Sequence, residues 1–249
     1  MLRSRPGRAA PAWPPPRLAA VAVVAGIALA AGMLTLKLGL GAEPLSRGPI
    51  VAITSANSLL VAALAAVFLH ERLQRGLWLA LAVIVAGLAV LALHRSSAAG
   101  WRAILFGLAA MALFGITNFL LKFAASRGAR PQAAITVLWL ASGACGCLAL
   151  ILCQVSGRGL AGLESPGLKA LAFAAGLSLG LGMLSIKVAL TRGPAGPVAA
   201  VAGANAVLVT LLDFLLLKQE PPAAKLLGMA LVVAGILAMA LIRHDPRGQ

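Results

Sequence analysis

Two stretches of this chain, separated by about a hundred residues, carry the same pattern. One begins at residue 48 as GPIVAITSANSLLV and the other begins at residue 196 as GPVAAVAGANAVLV. Without a gap, residues 48–95 and 196–243 are identical at 17 of 48 positions. With a shift of two residues the match extends backwards, because GMLTLK at 32–37 answers GMLSIK at 182–187. Chance similarity between Ala- and Leu-rich runs would not align Gly-Pro, Asn, Met and Lys together. The chain therefore contains an internal repeat, which restricts it to folds built from two similar halves.

The composition indicates the environment of these halves. Of 249 residues, 61% are hydrophobic and 11% are charged, and the mean hydropathy is +0.99. A soluble domain needs more charge on its surface, so we expect an integral membrane protein. Lys and Arg number 21 against six acids, a net charge of +15. These basic residues lie between apolar runs without interleaved aromatics, which favours contact with anionic lipid headgroups over binding to nucleic acid.

Eight apolar runs are long enough to cross about 30 Å of hydrocarbon as helices. They are residues 18–40, 49–69, 77–94, 102–124, 131–153, 168–189, 196–217 and 223–242. Residues 1–17 are rich in Pro and Arg and predict a disordered basic tail. We expect the first run to be a helix of the mature chain and not a cleaved signal segment, because its end is copied inside the chain at 182–187.

Charge and repeat order together predict the topology. Thirteen of the 21 Lys and Arg residues fall on the side of the two termini, which places both termini inside the cell. The first three runs match the last three, five spans further on. Because five is odd, matched helices cross the membrane in opposite directions, and the repeats are inverted. Secondary transporters commonly have this plan, with the solute site near the midplane where the repeats meet.

Several motifs resemble the drug/metabolite transporter superfamily, in the EamA type with two repeats. The motifs are KVALTRGP from Lys187 to Pro194, an acid that closes each central helix (FLHER, LLKQE), the Gly-centred helices VIVAGLAVL and LVVAGILAM, and ALFGITNFLLKFA at 112–124. The resemblance implies an all-α transmembrane fold of ten helices, a location in the cytoplasmic membrane and two cytoplasmic termini. Here we expect about eight helices, three in a partial first repeat (18–95) and five in a second repeat (101–243). Either two helices precede Met1 in a longer chain, or this is a shortened member.

The resemblance implies a secondary transporter that moves a small organic metabolite or drug by alternating access. The alternative is a truncated membrane protein without transport activity, or the partner subunit of a transporter. The expected partners are the lipid bilayer and a small-molecule solute, with no nucleic acid; a homodimer stays open. No paired carboxylates, metal-ligand spacing or Ser/His/Asp set occurs, so we expect neither enzymatic activity nor a cofactor or metal.

Asn57 and Asn205 are the first candidates for solute binding. Each lies near the middle of its helix, eight residues after a Pro, where an amide that faces lipid is costly. They either hydrogen-bond the solute from both repeats or form a helix–helix bond. Asn118, one turn before Lys122, is a weaker candidate for the cavity wall.

Lys37, Lys187 and Asp213 complete the set of candidates. The two lysines lie near helix ends, where the default interpretation is that the side chain reaches to the membrane surface, as for Lys122. Asp213 is an acid within a span, and it requires a partner, a proton or water. We expect Asp213 to approach Lys37 at the outer side and to bridge the repeats as a gate. The alternative is that Asp213 turns to headgroup water and balances nearby lysines.

Overall fold

The fold is a bundle of helices, seen in a computed structural model of the whole chain. The structure describes residues 13–42, 47–70, 75–93, 101–156, 165–193, 198, 201–202 and 223–242. In this part of the chain every regular element is an α-helix. The helices are α1 (Pro16–Ala42), α2 (Arg47–Ser55), α3 (Asn57–Phe68), α4 (Arg75–Leu93), α5 (Trp101–Ser126), α6 (Pro131–Val155), α7 (Pro166–Arg192) and α8 (Ala223–Leu241). The prediction of an all-α membrane protein is confirmed.

The helices follow the predicted apolar runs closely. Seven of the eight runs correspond to helices, and the run 196–217 lies outside the described residues apart from 198 and 201–202. Within the described residues, four helices are long and apolar enough to cross a membrane: α1, α5 from Ile104, α6 and α7. Helix α1 begins at Pro16, inside the expected tail, because proline fits the first turn of a helix, where its missing N–H is not needed. The remaining expected tail, up to residue 12, lies outside the described residues.

The prediction of one continuous helix over 49–69 is wrong, because this run is broken at Ala56 between α2 and α3. The Thr54 hydroxyl donates to the Ile50 carbonyl at 2.7 Å, and the Ser55 hydroxyl donates to the Val51 carbonyl at 2.9 Å. Such bonds to the carbonyl four residues earlier bend helices. The Asn57 amide then donates to the Thr54 carbonyl at 2.9 Å, so a side chain satisfies a backbone acceptor at the break.

Helices α4 and α8 occupy equivalent places in the repeat, and their contact is reciprocal. A Cβ added at Gly87 would lie 2.8 Å from the Gly228 carbonyl oxygen and from the Val232 nitrogen. A Cβ at the repeat counterpart, Gly235, would lie 3.0 Å from the Ala80 carbonyl oxygen and 3.1 Å from the Ile84 nitrogen. Ala80 and Ile84 are the counterparts of Gly228 and Val232. The contact thus maps onto itself when the repeats are exchanged, as it must about a two-fold axis.

The same contact fixes the relative direction of the two helices. Gly76, at the start of α4, faces Ile242 just beyond the end of α8, whereas Gly87 faces Gly228 near the start of α8. Moving forward along α4 therefore moves the contact backward along α8, so the helices are antiparallel. An antiparallel pair related by a two-fold axis is the arrangement expected of inverted repeats.

Glycines also bring α1 against its neighbours. A Cβ at Gly26 would collide with the Leu138 carbonyl oxygen of α6, and a Cβ at Gly32 would lie 2.8 Å from the Phe114 ring of α5. The repeat counterparts of these glycines on α7 are Gly176 and Gly182, and a Cβ at either would meet no described atom within 4 Å. Glycines thus allow close packing of α1, while this face of α7 is open among the described residues.

Candidate functional site

A cavity of about 400 Å³ lies between α1, α2, α3, α5 and α7. The polar side chains on its wall are Lys37, Thr54, Ser55, Asn57, Asn118 and Lys187. The apolar lining residues are Leu29, Met33, Leu36, Leu40, Val51, Phe114, Leu179, Met183, Ile186 and Ala202. This volume suits a small organic molecule. Four of the six candidate residues from the sequence are brought together here.

Corresponding residues of the two repeats face this cavity from opposite helices. Helix α1 contributes Leu29, Met33, Leu36 and Lys37, and α7 contributes their counterparts Leu179, Met183, Ile186 and Lys187. Thr54 and its counterpart Ala202 form a further pair. Both copies of the repeated motif thus line one cavity. The relation that exchanges the two repeats also pairs these lining residues of α1 and α7. A site at the junction of two repeats is the usual arrangement in transporters with inverted repeats.

Lys187 differs from the default interpretation of a lysine near a helix end. It does not reach to the surface: its side chain is buried, with 1% of its area exposed, and its amino group donates to the Asn118 amide oxygen at 2.5 Å. Burial of so polar a group is costly unless it is hydrogen-bonded. The bond joins α7 to α5 and holds both polar groups at the cavity wall.

A second lysine bond joins the same two helices beyond the cavity. Lys122, one turn after Asn118 on α5, donates to the Gly193 carbonyl at 2.6 Å, at the carboxyl end of α7. This carbonyl follows the last residue of the helix, where orphan acceptors attract basic side chains. Moving from Asn118 to Lys122 moves the partner from Lys187 to Gly193, so α5 and α7 run in the same direction. The two bonds together hold α5 against α7 at the Lys187 end of the cavity.

Lys37, the repeat counterpart of Lys187, is exposed. Asn57 lies on the cavity wall, half-buried, and its amide bonds within its own bent helix instead of to a neighbouring helix. Asn205 and Asp213 lie outside the described residues, so their roles, and the expected approach of Asp213 to Lys37, stay predictions.

Sequence reasoning missed several residues of the wall. Thr54 and Ser55 carry the helix break, and a signal for them was present, because two adjacent hydroxyl residues precede the central Asn in the first repeat. Met33 and Met183 were aligned as part of the repeat but were not assigned to the site. Phe114 had no such signal, because it lies on α5, which has no counterpart within residues 18–95.

The fold also occurs in known proteins. A solved structure titled "Crystal structure of protein" superposes with a TM-score of 0.71 at 18% identity, and the match covers 91% of this chain and 78% of that chain. At this identity the likeness shows the fold alone. Comparison with curated proteins gives no match.

The family assignment comes from the sequence of α5 to α8. The EamA-like transporter family matches residues 101–241, which is more than half of the chain. This region supplies Asn118 and Lys187 to the cavity and includes the antiparallel partner of α4. The chain is a membrane protein that belongs to the EamA-like transporter family, within the drug/metabolite transporter superfamily.

Proposed function

We propose that this protein is a secondary transporter that moves a small organic solute across the cytoplasmic membrane by alternating access, through the cavity between α1, α5 and α7. The observation that carries the proposal is the paired lining. Both copies of the repeated Met-x-x-apolar-Lys pattern face one cavity from helices of opposite repeats. A transporter with two related halves can expose such a site to either side by exchanging the conformations of the halves.

The unequal burial of Lys37 and Lys187 supports the proposal that the two halves exchange conformations during transport. Lys187 is covered by α5 through Asn118, whereas Lys37 is exposed. We infer from these two side chains that the described conformation is closed at the Lys187 end and open at the Lys37 end. In the opposite state, the Lys187 end opens as α7 separates from α5, and the Lys37 end closes.

The orientation of these ends is part of the proposal. With both termini cytoplasmic, as the distribution of Lys and Arg favours, the Lys37 end faces outward and the Lys187 end faces the cytoplasm. The described conformation is then outward-open. A fluorescent reporter fused after Gln249, active only in the cytoplasm, tests this orientation; fluorescence is the expected result.

A second candidate function has its own supporting observation. The amino-terminal half of α7 is exposed in the described part of the chain, with Phe173 at 74% and Leu171 at 67%. Its counterpart α1 is covered by α5 and α6. Lipid covers such a face in a single subunit, whereas a subunit that transports only with a partner would bury it against that partner.

Reconstitution distinguishes these functions and tests the cavity. The purified chain in liposomes is expected to take up members of a panel of labelled small metabolites. Met33→Trp and Met183→Trp fill the cavity from opposite walls, and each should abolish uptake. Leu34→Trp and Leu184→Trp are the matched controls, because these neighbours are exposed and lie outside the cavity. If the folded chain transports none of the panel, the partner-subunit function is favoured; if the controls fail equally, the solute path does not use this cavity.

A further inference from the structure

We propose that the solute is an organic anion whose carboxylate binds Lys187, with an apolar body that lies along the rest of the cavity. This inference rests on the proposed transport function and names the class of solute that the same cavity accepts.

The first argument is the state of the Lys187 amino group. The side chain has 1% of its area exposed, yet it lines the cavity wall. A charged lysine has three N–H donors, and among the described residues one of them is used, on the neutral oxygen of Asn118. A neutral amide offsets little of the cost of a buried charge. A carboxylate entering the cavity supplies both the missing acceptor and the opposite charge.

The second argument is the charge of the wall as a whole. Two lysines, Lys37 and Lys187, line the cavity, and the described lining residues include no acid. Both lysines act in the same direction, and a cationic solute would meet repulsion from each.

The third argument concerns the uncharged part of the solute. Most of the lining residues are apolar, and the two methionines are flexible side chains that adapt to varied shapes. Arginine, which suits bidentate phosphate binding, does not occur among the described lining residues. A single carboxylate on a hydrocarbon body therefore fits this wall better than a multiply charged phosphate ester.

Matched pairs of ligands test the inference. The probes are linear and branched monocarboxylates of four to eight carbons, each compared with its own amide, which has the same shape without the charge. Thermal stabilisation of the detergent-solubilised full chain measures binding. We expect at least one acid to bind about tenfold or more tightly than its amide. In Lys187→Gln this preference should fall to about one.

Two further variants separate binding from folding. Asn118→Asp keeps the size of the side chain and gives Lys187 a permanent counter-ion, so it should leave the protein folded while it removes the preference for acids. Lys169→Gln makes the same charge change as Lys187→Gln at an exposed position five turns earlier on α7, and should keep the preference.

The outcomes for the solute class and for transport are independent. If amides or amines of the same skeletons bind and are taken up by liposomes in preference to the acids, the anion inference is overturned and the transport function stands. If acids bind but the liposomes take up no probe, the transport function fails. Loss of the acid preference in Lys169→Gln, or its retention in both Lys187→Gln and Asn118→Asp, overturns the assignment of Lys187.

Discussion

The Lys187 amino group and the Asn118 amide oxygen lie 2.5 Å apart, and the two side chains share the wall of one cavity. Lys187 belongs to the repeated motif, while Asn118 belongs to α5, which has no counterpart within residues 18–95. The bond therefore makes the two ends of a symmetric cavity different. It is also a contact that must break if α7 separates from α5 during transport.

This bond should contribute measurably to stability. Asn118→Ala leaves the Lys187 amino group buried without its acceptor, and we expect a loss of about 1.5–3 kcal/mol in the free energy of unfolding. Lys187→Met removes the polar group and keeps the apolar stem. In the Lys187→Met background, Asn118→Ala should cost much less, because the group that needed the acceptor is absent. Unfolding in mixed micelles measures all four proteins; additive effects would contradict the coupling.

The glycines of α1 and α7 provide a matched pair of substitutions. In Gly26→Leu the new side chain meets the backbone of α6, so overpacking should cost about 1–3 kcal/mol. In Gly176→Leu, at the repeat counterpart, no described atom lies within 4 Å, and stability in detergent should change little. Melting temperatures of the two variants provide the comparison. An equal loss in Gly176→Leu would show that this face of α7 is covered in the folded protein.

The reciprocal contact of α4 and α8 predicts a symmetric response. Gly87→Val and Gly235→Val each push a side chain into the backbone of the facing helix, and each should destabilise by about 1–3 kcal/mol. The two losses should be similar because the contacts are exchanged by the same two-fold axis. Gly41→Val, where a Cβ would meet no described atom within 4 Å, is the control. Strongly unequal losses would argue against the two-fold relation.

The sequence predicted much of this architecture because the repeat carries geometric information. The odd number of spans between the matched helices predicted the inverted relation, and of the candidates in the repeated motifs Lys37, Asn57 and Lys187 lie on the cavity wall. The different surroundings of Lys37 and Lys187 could not be predicted in this way, since GMLTLK and GMLSIK are nearly identical. Their burial depends on the surrounding helices, above all on the Asn118 that α5 presents to Lys187. The break at Ala56 was missed because an apolar run predicts a helix, while hydroxyl-to-carbonyl bonds decide locally whether it bends.

The paired asparagines predict a shared functional role. Asn57 lies on the cavity wall, and Asn205 is its repeat counterpart outside the described residues. We expect Asn205→Ala to reduce uptake into liposomes more than it reduces the yield of folded protein, because the amide serves the solute. Asn57→Ala should also lower the melting temperature, since its amide bonds the Thr54 carbonyl. If Asn205→Ala lowers yield and uptake in proportion, its role is structural.

The repeat finally predicts the partner of Asp213, which lies outside the described residues. Its counterpart is Ala65, which is buried in a cluster with Leu190 and the neighbouring Ile186 of α7. The counterparts of that leucine and isoleucine on α1 are Leu40 and Leu36, and these flank Lys37.

Exchange of the repeats therefore predicts that Asp213 lies beside the turn of α1 that carries Lys37. In a chain whose native cysteines are replaced by Ser, Lys37→Cys with Asp213→Cys should cross-link readily. Leu34→Cys with Asp213→Cys is the control, because Leu34 is 54% exposed and lies outside the cavity wall.

A charge exchange adds a functional readout: Lys37→Asp and Asp213→Lys should each impair uptake, and the double variant should recover part of it. Equal cross-linking of the control pair, or no recovery in the double variant, would assign Asp213 to headgroup water instead of to a gate.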